Sequence, residues 1–345
     1  MLPPRVWRGA VESVAGNVIT VEGVTLPTDL GRKEANGGAP GTVPAVAEFG
    51  QYVVIQRYDA SATFPAGGNE GDWWVIDGST GTTLTVLPGV QGPSVSLAAG
   101  DKIEVVPLAS MRDMFGGPGG PAAILNKDLD GGPSTSQEDV INFFGGGSNG
   151  LGFPTTIFYA DASLLGTEGY VINGEIDPVT SQPFTGEFIT VTPDQAFVVF
   201  RKSGTATVKA YNAGHSHRTH LTHYCPGSAS TSFRTAIGTG FPVNSTILAT
   251  ELALSAGIVV DTDGSPSLNQ EDLLSLLGGP VNTSGLFEEV TIMATTVCAP
   301  DTYANFPAGV CDDTFSVLSG RGYLLGRKSG TAAALLWREA HPFKL

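Results

Sequence analysis

The chain has 345 residues, of which 41% are hydrophobic and only 15% charged, with Gly 46 and Pro 23 spread along it. That length exceeds one ordinary hydrophobic core and points to two or three domains, with glycine and proline as turn punctuation between β-strands. A net charge of −15 without a Lys/Arg-rich stripe argues against nucleic acid as a partner, and no apolar run reaches the ~18 residues that would span a bilayer.

Met1-Leu2-Pro3-Pro4-Arg5 has no apolar h-region, so an export signal either was removed or never existed. Residues 10–24 predict a hairpin, because Val11, Val14, Val18, Ile19 and Val21 flank the turn Ala15-Gly16-Asn17. Tyr52 to Tyr58, Trp73 to Ile76, Thr82 to Leu87, Val95 to Leu97 and Lys102 to Val106 predict further short strands, together a small barrel over residues 1–108.

From about residue 109 the chain repeats itself. Asp128-Leu129-Asp130-Gly131-Gly132-Pro133-Ser134-Thr135-Ser136-Gln137-Glu138-Asp139 recurs, identical at eight of twelve positions, as Asp261-Thr262-Asp263-Gly264-Ser265-Pro266-Ser267-Leu268-Asn269-Gln270-Glu271-Asp272. Downstream, Arg201-Lys202-Ser203-Gly204-Thr205-Ala206 recurs unchanged as Arg327-Lys328-Ser329-Gly330-Thr331-Ala332. Two anchors in the same order predict two copies of one module, residues 109–228 and 229–345, each with an acidic loop and a short helix early and a hairpin late. Strand-like runs at Thr155 to Tyr159, Glu187 to Val191, Val290 to Thr296 and Tyr323 to Leu325 make the modules β-rich. The expected fold is all-β: a small N-terminal β-barrel followed by two repeated β-sandwich-like modules with short helices.

The acidic loops are candidate calcium sites. Asp261, Asp263, Ser265, Asn269 and Asp272 fall at positions 1, 3, 5, 9 and 12 of a calcium loop, and Asp128, Asp130, Ser136 and Asp139 at 1, 3, 9 and 12. Pro133 and Pro266 stand where such loops carry a glycine, and the same residues also read as an Asx turn before a capped helix, with no metal. His215, His217, His220 and His223 are candidate transition-metal ligands, although in an extended strand His220 faces away from the other three. A solvated polar strand or a contact with a neighbouring subunit is the commoner role for such residues.

Cys298 and Cys311 bracket a loop and are candidates for a disulfide, which leaves Cys225 as a small buried hydrophobe. No nucleophile elbow, phosphate loop or paired catalytic carboxylates occur, so the chain does not read as an enzyme. Trp73-Trp74 is a possible sugar platform, with one of the two expected to face the core.

With its Gly9-Ala10-Val11-Glu12-Ser13-Val14-Ala15-Gly16-Asn17 start, its Gly100-Asp101-Lys102-Ile103 strand and its Phe197 to Ala206 strand, the chain resembles an uncharacterised family of exported β-rich bacterial proteins with a duplicated C-terminal module. The resemblance implies export and no known activity. The expected function is a self-assembling extracellular or cell-surface structural protein, a filament, sheath or surface-layer subunit whose main partners are copies of itself. Leu2-Pro3-Pro4-Arg5-Val6-Trp7 is a candidate strand for pairing with a neighbour. Adhesion to surface glycans, or a place in a virion, are the alternatives.

Overall fold

A computed structural model of the chain describes residues 6–23, 25–34, 48–62, 69–87, 95–118, 122–130, 137–143, 155–165, 168–176, 183–193, 197–204, 221–225, 233–238, 245–246, 252, 258–259, 271–276, 289–293, 302–306, 310–311, 316–317, 322–333 and 335–339. Strands β1 (Trp7–Ala15) and β2 (Val18–Val21) form the expected hairpin, with Gly16 at φ 62 supplying the left-handed turn. The two-residue strands β3 (Lys33–Glu34) and β4 (Glu48–Phe49) pair with each other. β5 (Tyr52–Tyr58), β6 (Trp73–Ser79), β7 (Thr83–Val86) and β8 (Lys102–Pro107) complete a closed barrel of order β1-β2-β7-β6-β5-β8. Closure leaves these six strands no free edge. Val95 to Leu97, expected as a strand, is irregular, yet Leu97 is buried in the barrel core.

Period-2 alternation sorts the barrel side chains into two groups. Val54, Trp74, Ile76, Ile103 and Val105 point inward to join Val11, Ile19 and Leu84. Val53, Ile55, Trp73, Val75, Val106 and Leu108 form a second buried cluster on the outer wall. An outer wall this apolar needs a cover, and the rest of the chain provides one.

Beyond the barrel follow β9 (Ala109–Ser110), α1 (Met111–Phe115), β10 (Val140–Phe143), β11 (Thr155–Ala160), α2 (Ala162–Leu165), β12 (Gly169–Ile176), β13 (Pro183–Thr185), β14 (Thr190–Val191) and β15 (Phe197–Phe200). Five of them make an antiparallel sheet of order β13-β12-β11-β10-β15, while β9 pairs with β14. α1 starts on a capping box, Ser110 accepting from the Asp113 N–H and Asp113 from the Ser110 N–H. Its Met111 and Phe115 pack with Phe49 of β4 and with Ile141, Ile157, Tyr170 and Ile172 of the sheet into one core.

The remaining strands are β16 (Leu221–Cys225), β17 (Phe233–Gly238), β18 (Ser245–Thr246), β19 (Leu273–Leu276), β20 (Glu289–Met293), β21 (Thr302–Phe306), β22 (Val310–Cys311), β23 (Ser316–Val317), β24 (Gly322–Arg327) and β25 (Leu335–Glu339). Six form a sheet of order β17-β24-β19-β20-β21-β22, and β18 pairs with β23 as β9 does with β14. β16 pairs with β25, so a strand from residues 109–228 is zipped to one from residues 229–345.

Two expectations are corrected. The segments after the acidic loops, Val140–Phe143 and Leu273–Leu276, are strands and not helices. Each is flanked by a strand on both sides, and those ladders satisfy a four-residue backbone that a helix so short would leave largely unpaired. In the second copy the late segment is not a hairpin either, since β24 pairs with β17 and β19 and β25 with β16; in the first, residues 205–220 lie outside the described ones. β15 pairs with β10 and β24 with β19, which brings the two repeated anchors of each copy into contact.

Barrel and sheets are joined by buried polar bonds. Trp73 Nε1 donates to the Thr222 carbonyl at 2.8 Å, Thr222 Oγ1 donates to Asp72 Oδ1 at 2.6 Å, and the Thr222 N–H meets the Gly71 carbonyl at 3.3 Å. On another side Thr190 Oγ1 donates to the Gly50 carbonyl at 2.6 Å and Gln51 Nε2 to the Phe188 carbonyl at 3.2 Å.

Candidate functional site

The acidic loop of residues 128–139 is split by the fold into two groups with different work. Asp128 is fixed first: its N–H donates to the Tyr159 carbonyl at 2.8 Å, and its own carbonyl accepts from Asp161 at 3.0 Å. The Asp130 N–H then donates back to Asp128 Oδ1 at 2.9 Å, an Asx turn. Glu138 returns to the same place, and the carboxylates of Asp128, Asp130 and Glu138 offer oxygens all within 4.8 Å of one another. Asp128 and Glu138 are buried and Asp130 is exposed, so the cluster opens to solvent on one side. Three hard oxygen donors so close suit a hard cation such as Ca²⁺ in chemical type.

Asp139 belongs elsewhere. Its carboxylate accepts from the Asn126 N–H at 2.9 Å, the Asn126 side-chain amide at 3.0 Å, the Lys202 N–H at 2.6 Å and the Arg201 guanidinium. Asp272 repeats the pattern with the Val259 N–H at 2.9 Å, the Lys328 N–H at 2.7 Å and the Arg327 guanidinium. Of the candidate calcium ligands, Asp139 and Asp272 are thus bound to arginine and backbone N–H groups, and Asp139 does not share the site of its neighbour Glu138. Sequence reasoning passed over Glu138, which matches no ligand position of a calcium loop; the only signal was that it is a carboxylate beside Asp139, just before strand β10. Asp261, Asp263 and Asn269 lie outside the described residues.

Burial raises the Asp272 carboxyl above its usual range, while N–H donation from Lys328 and Val259 and the Arg327 charge pull it down. Beside the acidic cluster, Lys127 reaches Glu168, and Glu168 Oε2 accepts from the Tyr159 hydroxyl at 3.1 Å. The Lys127 bond, then the Tyr159 bond, lower the Glu168 carboxyl, and Glu168 in turn raises the Lys127 ammonium. Tyr159 is pushed up to about 12 by burial first and by its bond to Glu168 second.

Of the histidine cluster, His215, His217 and His220 lie outside the described residues. His223 is buried on β16 and its ring lies 4.6 Å from that of Trp337, its cross-strand partner on β25. It is a core aromatic contact and does not sit on a solvated strand. Cys225, two residues on, is fully buried, as expected. Cys298 lies outside the described residues; Cys311 falls on β22. Trp73 and Trp74 are both buried, one in the outer-wall cluster and one in the barrel interior, so the pair presents no platform to a sugar. Val6 and Trp7 are engaged in cis: the Val6 N–H donates to the Val105 carbonyl at 2.8 Å and Trp7 pairs with Val105 in the barrel.

Compared with known proteins, the chain matches no family model, no curated protein and no solved structure.

Proposed function

We propose that the chain is a self-assembling extracellular structural protein, a rigid subunit of a filament, sheath or surface layer, in which two repeated β-sandwich-like modules follow the barrel. The observation that carries this reading is the barrel-to-sheet junction, where buried Asp72, Trp73 and Thr222 join strands far apart in sequence through directional bonds. Such bonds fix the angle between parts as well as holding them together, which a load-bearing subunit needs and a hinged binding protein does not. The acidic, sparsely charged composition suits a protein outside the cell. The reading assigns no catalytic step and makes copies of the chain its principal partners.

Negative-stain electron microscopy and light scattering on the purified chain, over a range of concentrations, test it. Ordered polymers or discrete higher oligomers are expected. A monodisperse monomer at every concentration overturns self-assembly and moves ligand binding to the front. The same preparation with added calcium and then a chelator asks whether the Asp128, Asp130 and Glu138 cluster takes a cation that assembly needs.

A further inference from the structure

The two sheets run in the same order, with one difference. β13-β12-β11-β10-β15 matches β22-β21-β20-β19-β24 strand for strand, but in the second sheet β24 has an additional antiparallel neighbour, β17. Among the described residues β15 has no neighbour on that side. Chain order explains the difference. β17 precedes β18, which pairs with β23, and the strand that precedes β9 in the same way is β8, which is locked in the barrel between β1 and β5.

Side-chain exposure follows the missing strand. Phe200 is 43% exposed, whereas Gly326, six residues before Ala332 as Phe200 is before Ala206, is buried. The Arg201 side chain is 31% exposed and that of Arg327 0%. Edge strands are commonly guarded by a charged side chain that resists pairing. Here the nearest such charge, Arg201, is turned back onto Asp139 inside the module and does not guard Phe197–Phe200.

We infer that the outer edge of β15 is a β-augmentation site for a second copy of this chain, whose own β15 pairs with it antiparallel about a two-fold axis. The two five-stranded sheets then join into one. The precedent is β17 on β24: the equivalent slot in the same chain is filled by an antiparallel strand. A two-fold suits it because each copy carries the same edge, without a neighbour among the described residues, and the pairing is self-complementary. The inference rests on the self-assembly reading and names the first contact of that assembly.

Sedimentation velocity of the full chain, wild type against Phe200→Lys, tests it, together with amide exchange over residues 197–200 at low and high protein concentration. Phe200 is exposed, so the substitution leaves folding intact, and a matching thermal melt verifies this. The expected result is concentration-dependent protection of 197–200 in the wild type and a roughly tenfold or greater weakening of self-association in Phe200→Lys. Self-association that is equally strong in Phe200→Lys, without protection of 197–200, overturns the edge pairing and leaves self-assembly standing. A wild type that stays monomeric throughout overturns both.

Discussion

The side chains of Asp272 and Arg327 are withdrawn from water together, 1% and 0% exposed, and joined to each other across the second sheet. Asp139 and Arg201 form the same pair in the first sheet, but there the arginine is 31% exposed. The carboxylate is fully buried in both, so each pair is an uncompensated charge waiting to appear if its partner is removed.

Asp272→Ala should therefore cost about 3–5 kcal/mol, the usual consequence of stranding one member of a buried pair. Arg201→Met should cost less than Arg327→Met, because water can reach the position Arg201 vacates and solvate the stranded carboxylate. Thermal melts of the four single variants, Asp139→Ala included, check the ranking. Equal losses for the two arginine variants would mean that exposure does not set the strength of the pair.

The junction gives a second expectation. Trp73→Phe keeps the ring in the outer-wall cluster but removes the N–H that meets the Thr222 carbonyl, leaving a buried acceptor short of a donor. A loss of about 1–3 kcal/mol follows. Asp72→Ala and Thr222→Val, combined in a double-mutant cycle, should show a coupling of about 0.5–3 kcal/mol, since their side chains bond directly at 2.6 Å. Additive effects would show that this bond contributes nothing of its own.

Alkaline pH should reach the first sheet through Tyr159. Its hydroxyl ionises at about 12 when folded against 10.0 ordinarily, so the neutral form is favoured by folding. The stability this contributes is complete below pH 10 and is lost as pH rises toward 12. Ultraviolet titration of tyrosinate absorbance should show a late-ionising class that shrinks in Tyr159→Phe. A titration unchanged by that substitution would contradict the assignment.

Acid should act on the barrel through Asp59. The Ser61 hydroxyl at 2.6 Å, with the N–H groups of Asn69 at 3.0 Å and Ser61 at 2.8 Å, holds its carboxyl below the ordinary 3.8. A lowered carboxyl stabilises above its unfolded value, and that stabilisation disappears as pH falls through the folded value. Asp59→Asn should melt lower than wild type at pH 5, and the gap should narrow on acidification toward pH 2. A gap that stays constant would place the effect of Asp59 in packing and not in its charge.

The barrel was largely legible because its strands alternate and its turns carry glycine, so Tyr52 to Tyr58 and the hairpin around Gly16 could be read one residue at a time. The repeat was legible for a different reason. Its two anchors are the two ends of one ion pair, Asp139 with Arg201 and Asp272 with Arg327, and removing either arginine strands a buried carboxylate. What those anchors do was misread, since a carboxylate at position 12 of a calcium-like loop looks the same in sequence as one reserved for an arginine. Val140–Phe143 and Leu273–Leu276 were misread because four apolar residues have no period long enough to separate helix from strand. The junction left no local signal at all: nothing in Trp73 indicates Thr222, and His223 gave no sign of Trp337.

The pairing of β16 with β25 also sets a schedule for folding. Barrel and first sheet contain all their own strands by the time β15 has been synthesised, whereas β16 leaves the ribosome with its β25 partner still unmade. Until Leu335–Glu339 arrives, Thr222 can seat against the barrel while β16 waits for its ladder partner, as β17 waits for β24, so the last strands to be made close the sheets that the earlier ones begin.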